Sequence, residues 1–196
     1  MKTKKNILYL VDNYIYLYNK KRDNLYTYKL DKNILKNGII ADIKKFIKSY
    51  NTFLSEQNLN NNLFGDSICV IHNPEYTKAD IDVLKNILEN LSYSNITFIN
   101  EIKLYKLNTK NAYINYNDEY LILTYIDSYK QKKVLLFCNL LSINEITSLI
   151  NKRVKKKDIL VFGRSKNIDM LINRIKNNKC YHFNNDETYL LDMLKK

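Results

Sequence analysis

Glycine is scarce, with three in 196 residues, and proline occurs once, against ordinary usage of roughly 7% and 5%. Chemistry that depends on glycine-rich loops is thereby largely excluded. The chain has no G-x-G-x-x-G dinucleotide fingerprint, no G-x-x-x-x-G-K-[ST] phosphate loop and no G-x-S-x-G nucleophile elbow. Tryptophan is absent. Histidine occurs at His72 and His182, neither with a carboxylate or cysteine at catalytic spacing, so both read as bystanders. Cys69, Cys138 and Cys180 stand apart among apolar neighbours without C-x-x-C spacing, which reads as buried free thiols in a reducing cytosol and argues against a metal site. No apolar run is long enough for a membrane span, and the Lys-rich start precedes an apolar stretch that Asp12 interrupts, so no secretory signal is expected and the chain reads as cytoplasmic.

Acidic residues are also in deficit: 20 against 32 Lys and Arg, a net charge of +12. Such a charge draws a protein toward polyanions, either nucleic acid or an anionic membrane face. The lysines nevertheless run evenly along the chain, and only residues 2–5 and 152–157 (KRVKKK) are dense clusters, so most of the excess reads as compositional background. What the chain does have is apolar material. At 45% hydrophobic residues it can bury a core, as one large domain or two small ones.

The pattern along the chain is α/β. Residues 7–11 (ILYLV), 14–18 (YIYLY) and 25–30 (LYTYKL) read as a three-stranded meander, punctuated by Asp12-Asn13 and by residues 21–24. Ile43, Phe46, Ile47, Tyr50, Phe53 and Leu54 fall at helical spacing, which predicts a helix over 41–57. A strand at 67–72 follows, then a helix with Thr77 as N-cap and Asp80 three residues on, then a strand at 96–99. The second half opens with a hairpin of 120–126 and 134–138. After it come a helix over 142–153, a strand at 159–162, a helix over 168–177, a strand near 181–183 and a final helix over 186–194. Both halves run strands first and then alternate α and β, as in mixed sheets covered by helices.

Four stretches carry a resemblance. They are Leu35-Lys36-Asn37-Gly38-Ile39-Ile40-Ala41-Asp42, Cys69-Val70-Ile71-His72-Asn73-Pro74-Glu75-Tyr76-Thr77 with Asp80, Ile96-Thr97-Phe98-Ile99-Asn100-Glu101, and Asp158-Ile159-Leu160-Val161-Phe162-Gly163-Arg164-Ser165 with Ile168 and Leu171. In order and spacing they resemble the actin-like ATPase superfamily of MreB-type bacterial actins, Hsp70s and pilus and division proteins. The resemblance implies two ribonuclease-H-like lobes with mixed sheets and flanking helices. The first lobe is expected over residues 1–107 and the second over 108–196. They would be joined near 107–117, and the last helix could pack back on the first lobe. The outer subdomains would be missing, since few residues separate the third strand from Gly38 and fewer separate residues 134–138 from Ser142.

The family's phosphate loops read D-x-G and D-x-G-G-x-T, because backbone N–H groups approach phosphates closely where no Cβ intervenes. The stretches taken as their counterparts read Asp12-Asn13-Tyr14 and Asp127-Ser128-Tyr129-Lys130-Gln131, and the adenine-side loop keeps Gly163 alone. Ile102 stands in place of the proline after Glu101, and Leu104-Tyr105 stand in place of small residues at the subdomain crossing. Asp12, Asp127 and Gly163 are therefore expected to be vestigial, with no cofactor, no metal and no ATP turnover.

Each feature also has a plainer reading. Asp12 and Asp127 suit hairpin turns. Tyr14, Tyr16 and Tyr18 at period two suit half-exposed strand positions better than a stacking platform for single-stranded nucleic acid. The 152–157 run suits a solvated helix end, with phosphate or anionic-lipid binding as its functional alternative. The expected function is a non-catalytic scaffold or adaptor at the inner face of the membrane, in type IV pilus or type II secretion assembly. A shape or division filament and a basic nucleic-acid binder are the alternatives. Its partner is expected to be a protein, such as a membrane protein's cytoplasmic tail, with self-association allowed. Tyr14, Tyr129, Lys155, Lys156 and Lys157 are the candidate contacts.

Overall fold

The computed structural model describes residues 5–36, 38–59, 67–72, 75–104, 107–116, 120–138, 141–163, 165–176 and 179–182. Of these, 5–104 form one compact unit and 107–182 a second.

In the first unit, β1 (Asn6–Val11), β2 (Tyr14–Asn19) and β3 (Asn24–Lys29) form an antiparallel meander. A small hairpin, β4 (Leu35–Lys36) and β5 (Ile39–Ile40), leads to α1 (Ile43–Glu56). Then β6 (Ser67–His72) pairs parallel with β1, α2 (Lys78–Asn90) follows, and β7 (Asn95–Asn100) pairs parallel with β6. The sheet order is β3-β2-β1-β6-β7, and a 3-10 turn at Glu101–Leu104 follows β7. Asp42 caps α1 by accepting from the Lys45 N–H, which with the Lys45 ammonium holds its carboxyl below the usual range. Thr77 and Asp80 form a reciprocal capping box at α2.

The side chains of α1 at Phe46, Tyr50 and Phe53 and of α2 at Leu84, Ile87 and Leu88 cover Leu8, Leu10, Ile15, Leu17, Ile68 and Val70 on one sheet face. Burying each Leu, Ile or Phe contributes about 1.5–3 kcal/mol. The Tyr50 and Tyr93 hydroxyls, 2.8 Å apart, satisfy each other inside this apolar layer. Burial, the largest cause, and the neighbouring Tyr93 push the Tyr50 phenol well above its ordinary range.

The second unit repeats the plan. It comprises β8 (Asn111–Tyr116), β9 (Tyr120–Ile126), β10 (Lys132–Cys138), α3 (Ile143–Arg153), β11 (Asp158–Phe162), α4 (Ile168–Arg174) and β12 (Cys180–His182), in sheet order β10-β9-β8-β11-β12. Its core is mostly aliphatic, with Ala112, Ile114, Leu121, Leu123, Ile159 and Val161 beneath Ile146, Ile150, Ile168 and Leu171. Ser142 and Glu145 cap α3 with the same reciprocal box as α2.

Strand β8 corrects the reading of 107–117 as a joint between lobes. Ala112, Ile114 and Tyr116 point into the core, and β8 is the central strand, antiparallel to β9 and parallel to β11. The helix expected over 186–194 and the side chains of Cys138 and His182 lie outside what the structure describes. Cys69 and Cys180 are free thiols but only half-buried, which corrects the expectation of full burial; both sit on strands paired near a sheet edge.

Candidate functional site

The β1–β2 turn consists of Asp12 and Asn13 alone, because Val11 already pairs with Tyr14. Asp12 takes φ 49°, a left-handed conformation that aspartate tolerates, and the Asn13 carbonyl accepts from the Leu30 N–H at 2.8 Å. Tyr14 is half-buried, its ring 6.1 Å from Tyr16 and stacked on it, with the Lys29 ammonium 6.0 Å from the Tyr14 ring centre. Tyr16 and Tyr18 are buried, which corrects their reading as half-exposed: both faces of β2 are covered. The Tyr18 phenol is pushed up to about 12 by burial and by its hydrogen bond to Asp23. Nearby, Tyr9 donates to the buried Glu101 carboxylate at 2.6 Å.

The topology also relocates the second phosphate-loop counterpart. In the first unit Asp12 lies between the first two strands, and the corresponding place in the second unit is residues 117–119, between β8 and β9, outside the described residues. Asp127 instead lies in the β9–β10 turn, which corresponds to the β2–β3 turn of the first unit. The Asp127 carboxylate accepts from the N–H groups of Tyr129 and Gln131, both at 2.9 Å, and pairs with Lys133 at 3.5 Å. Those backbone N–H groups, Gln131 first, hold its carboxyl below the usual range. Asp127 thus organises its own hairpin.

Gly163 has a structural role as well. It follows β11 at φ +115°, and a Cβ there would stand 2.0 Å from the Tyr116 carbonyl oxygen. The close approach of β8 therefore demands glycine, whatever else the loop does. His72 is buried between the rings of Tyr76 and Phe98. Among the described residues no cluster of three His, Cys, Asp or Glu groups could hold a metal ion, and no helix is long and apolar enough to cross a membrane.

The fold does bring together part of the expected contact set. Between the β9–β10 turn and the C-terminal end of α3 lies a groove of about 860 Å³ within the second unit. Lys130, Lys133, Lys152, Arg153, Lys155 and Lys157 line it against the single carboxylate of Asp127. Tyr129, 83% exposed, stands at the turn. Lys157 donates to the Thr109 carbonyl, while Lys152, Arg153 and Lys155 are exposed. Lys156, at φ 58°, is not among the lining residues, and Tyr14 belongs to the first unit. Sequence reasoning missed Lys130 and Lys133, which flank the end of the β9–β10 turn just before the exposed Val134; their spacing around a five-residue turn was the available signal.

No family model and no curated protein matches the chain. Solved structures do. The chain is similar to MreB 5 of Spiroplasma citri bound to AMPPNP, at TM-score 0.66 and 11% identity over 97% of this chain and 95% of that one. It is similar to the ethanolamine utilization protein EutJ of Carboxydothermus hydrogenoformans, at TM-score 0.63 and 9% identity over 90% and 84%. A Bacteroides thetaiotaomicron protein of unknown function with an actin-like ATPase fold matches at TM-score 0.59 and 11% identity over 98% and 97%. Two units of one strand order, each with its helices on a mixed sheet, and these likenesses along nearly the whole chain lead to one conclusion: this protein has the actin-like ATPase fold.

Proposed function

We propose that this protein is a non-catalytic actin-like scaffold that holds a protein partner without turning over nucleotide. The observation that carries the reading is the β1–β2 turn. The family resemblance puts a glycine two residues after Asp12, where backbone must approach phosphate, and this chain has Tyr14 there, stacked on Tyr16 and facing Lys29. The turn is two residues long and holds no glycine that would let backbone N–H groups approach a nucleotide's phosphates, which supports this reading. Among the roles the resemblance implies, an adaptor in pilus or secretion assembly at the inner membrane face suits such a turn better than a nucleotide-gated filament does. Fold likeness alone assigns no partner.

Calorimetric titration of the full chain with Mg-ATP tests this reading, together with a phosphate-release assay. The expected result is no heat of binding and no phosphate released above buffer. A dissociation constant tighter than about 100 μM, roughly −5.5 kcal/mol, contradicts it.

A further inference from the structure

We infer that the groove beside α3 and the open edge of β10 together take an extended acidic-apolar segment of the partner protein, an inference that rests on the scaffold reading above. Three observations converge on one place in the second unit.

First, β10 ends its sheet: among the described residues it pairs with β9 alone. An edge strand offers a row of N–H and C=O groups to another extended backbone, and such edges in soluble proteins are normally blunted by a bulge, a proline or an inward charge. In β10 lysines stand only at the end next to the turn, Lys132 and Lys133, and the four residues that follow, 134–137, are apolar.

Second, the two faces of this edge differ. Val134 and Leu136, 39% and 40% exposed, lie on one face, while Leu135 and Phe137 pack toward the core and α3 on the other. Lys133 and Leu135 of the core-side face line the groove, and Val134 reaches its rim from the other face. Side chains of an added strand alternate between the same two faces. One set would therefore meet Val134 and Leu136, and the other would enter the groove near Lys130, Lys133 and Lys155. The chemistry that satisfies both is a short strand with carboxylates alternating with aliphatic side chains.

Third, the equivalent seam between turn and helix end in the first unit is closed, although β3 is likewise an edge strand. There Arg22 of the β2–β3 turn donates to the carbonyls of Gln57 and Asn58 just beyond α1, at 3.4 and 3.1 Å, tying turn to helix end. In the second unit the turn and the end of α3 instead enclose the cationic groove. Cations near a helix C-terminus partly offset its dipole, yet this cluster exceeds what one helix end uses.

A peptide fits better than the other polyanions. Nucleic acid has no strand-spaced N–H and C=O row to match β10 and no aliphatic set to meet Val134 and Leu136. A second copy of this chain brings its own excess of positive charge.

The test uses the full chain in fluorescence anisotropy at about 0.15 M salt. The probes are a labelled peptide of alternating Glu and Val, its Lys-and-Val counterpart, a Glu/Val peptide of the same composition in two blocks, a single-stranded oligothymidylate and phosphatidylserine vesicles. The alternating Glu/Val peptide is expected to bind at least about tenfold more tightly than the other two peptides and than the oligonucleotide or vesicles. Lys130→Glu with Lys155→Glu should weaken it about tenfold or more. Val134→Lys with Leu136→Lys should weaken it about fivefold or more. All four positions are exposed, and a circular dichroism melt close to wild type confirms folding; Lys130→Gln with Lys155→Gln serves as the gentler variant. Equal binding of the Glu and Lys peptides, undiminished binding by both double variants, or tighter binding of oligonucleotide or vesicles overturns the inference. Mg-ATP added to the same samples keeps the two claims apart: ATP binding contradicts the scaffold reading whatever the peptide does, and peptide failure without ATP binding overturns the groove alone.

Discussion

The two units share one plan and differ in how a hairpin meets a helix end. In the first, the β2–β3 turn is held by the buried Asn19 side chain, which accepts from the N–H groups of Lys21 and Arg22, and Arg22 then reaches the residues after α1. In the second, the β9–β10 turn is held by Asp127, which accepts from Tyr129 and Gln131, and among the described residues no arginine crosses; lysines and Arg153 face the gap instead. A neutral turn anchor goes with a closed seam, and a charged one goes with an open cationic groove. The cores differ in the same direction. Phe46, Tyr50, Phe53, Tyr76 and Tyr93 fill the first with rings, whereas Ile, Leu and Val dominate the second. The same fold thus carries one half whose β2–β3 turn is tied to the end of its first helix and another in which a cationic groove lies at the corresponding place.

The comparison can be broken most strongly at the glycines. Gly163→Ala puts a Cβ 2.0 Å from the Tyr116 carbonyl oxygen and 2.8 Å from the Tyr116 nitrogen, both backbone atoms of the central strand β8. Gly38→Ala meets the Leu10 carbonyl oxygen at 2.7 Å. Urea unfolding should show a loss of about 3 kcal/mol or more for Gly163→Ala and about 1–2 kcal/mol for Gly38→Ala, with the first loss confined to probes in the second unit. Equal losses would mean that β8 gives way as readily as the end of β1.

A smaller effect sharpens the same contrast. Arg22→Ala removes the tie between the β2–β3 turn and the end of α1 and should cost about 1 kcal/mol in the same unfolding assay. The corresponding loss of a second-unit turn cation, Lys130→Ala, should fall within about 0.5 kcal/mol of zero, because Lys130 lines a groove and closes no seam. A loss at Lys130 as large as that at Arg22 would show that the second seam is also closed by its turn.

Much of the fold was legible in the sequence wherever periodicity was strong. The 3-4-7 stripe of α1 and the Thr77-x-x-Asp80 cap each fell where the structure has them. Strand β8 was not read, although Ala112, Ile114 and Tyr116 alternate with Asn111, Tyr113 and Asn115. Asparagine is a poor strand former, and Asn111 and Asn115, flanked by Asn108 and Asn117, make a central strand resemble a linker. That one miss shifted the second loop assignment by a whole hairpin, onto Asp127. The candidate site divided in the same way. The 152–157 cluster is contiguous in sequence and stood out, but its other wall, Lys130 and Lys133, lies on a different hairpin, and nothing short of the β9–β10 register brings the two together.

The most direct test of the account is backbone amide hydrogen exchange on the full chain with and without the alternating Glu/Val peptide. Added protection should appear at residues 128–137 and 152–157, with residues 20–29 and 56–59 unchanged, because pairing at β10 converts exposed edge N–H groups into bonded ones. Protection along β3 and the end of α1, or none along β10, would contradict the claim that the peptide pairs at β10 beside the cationic groove.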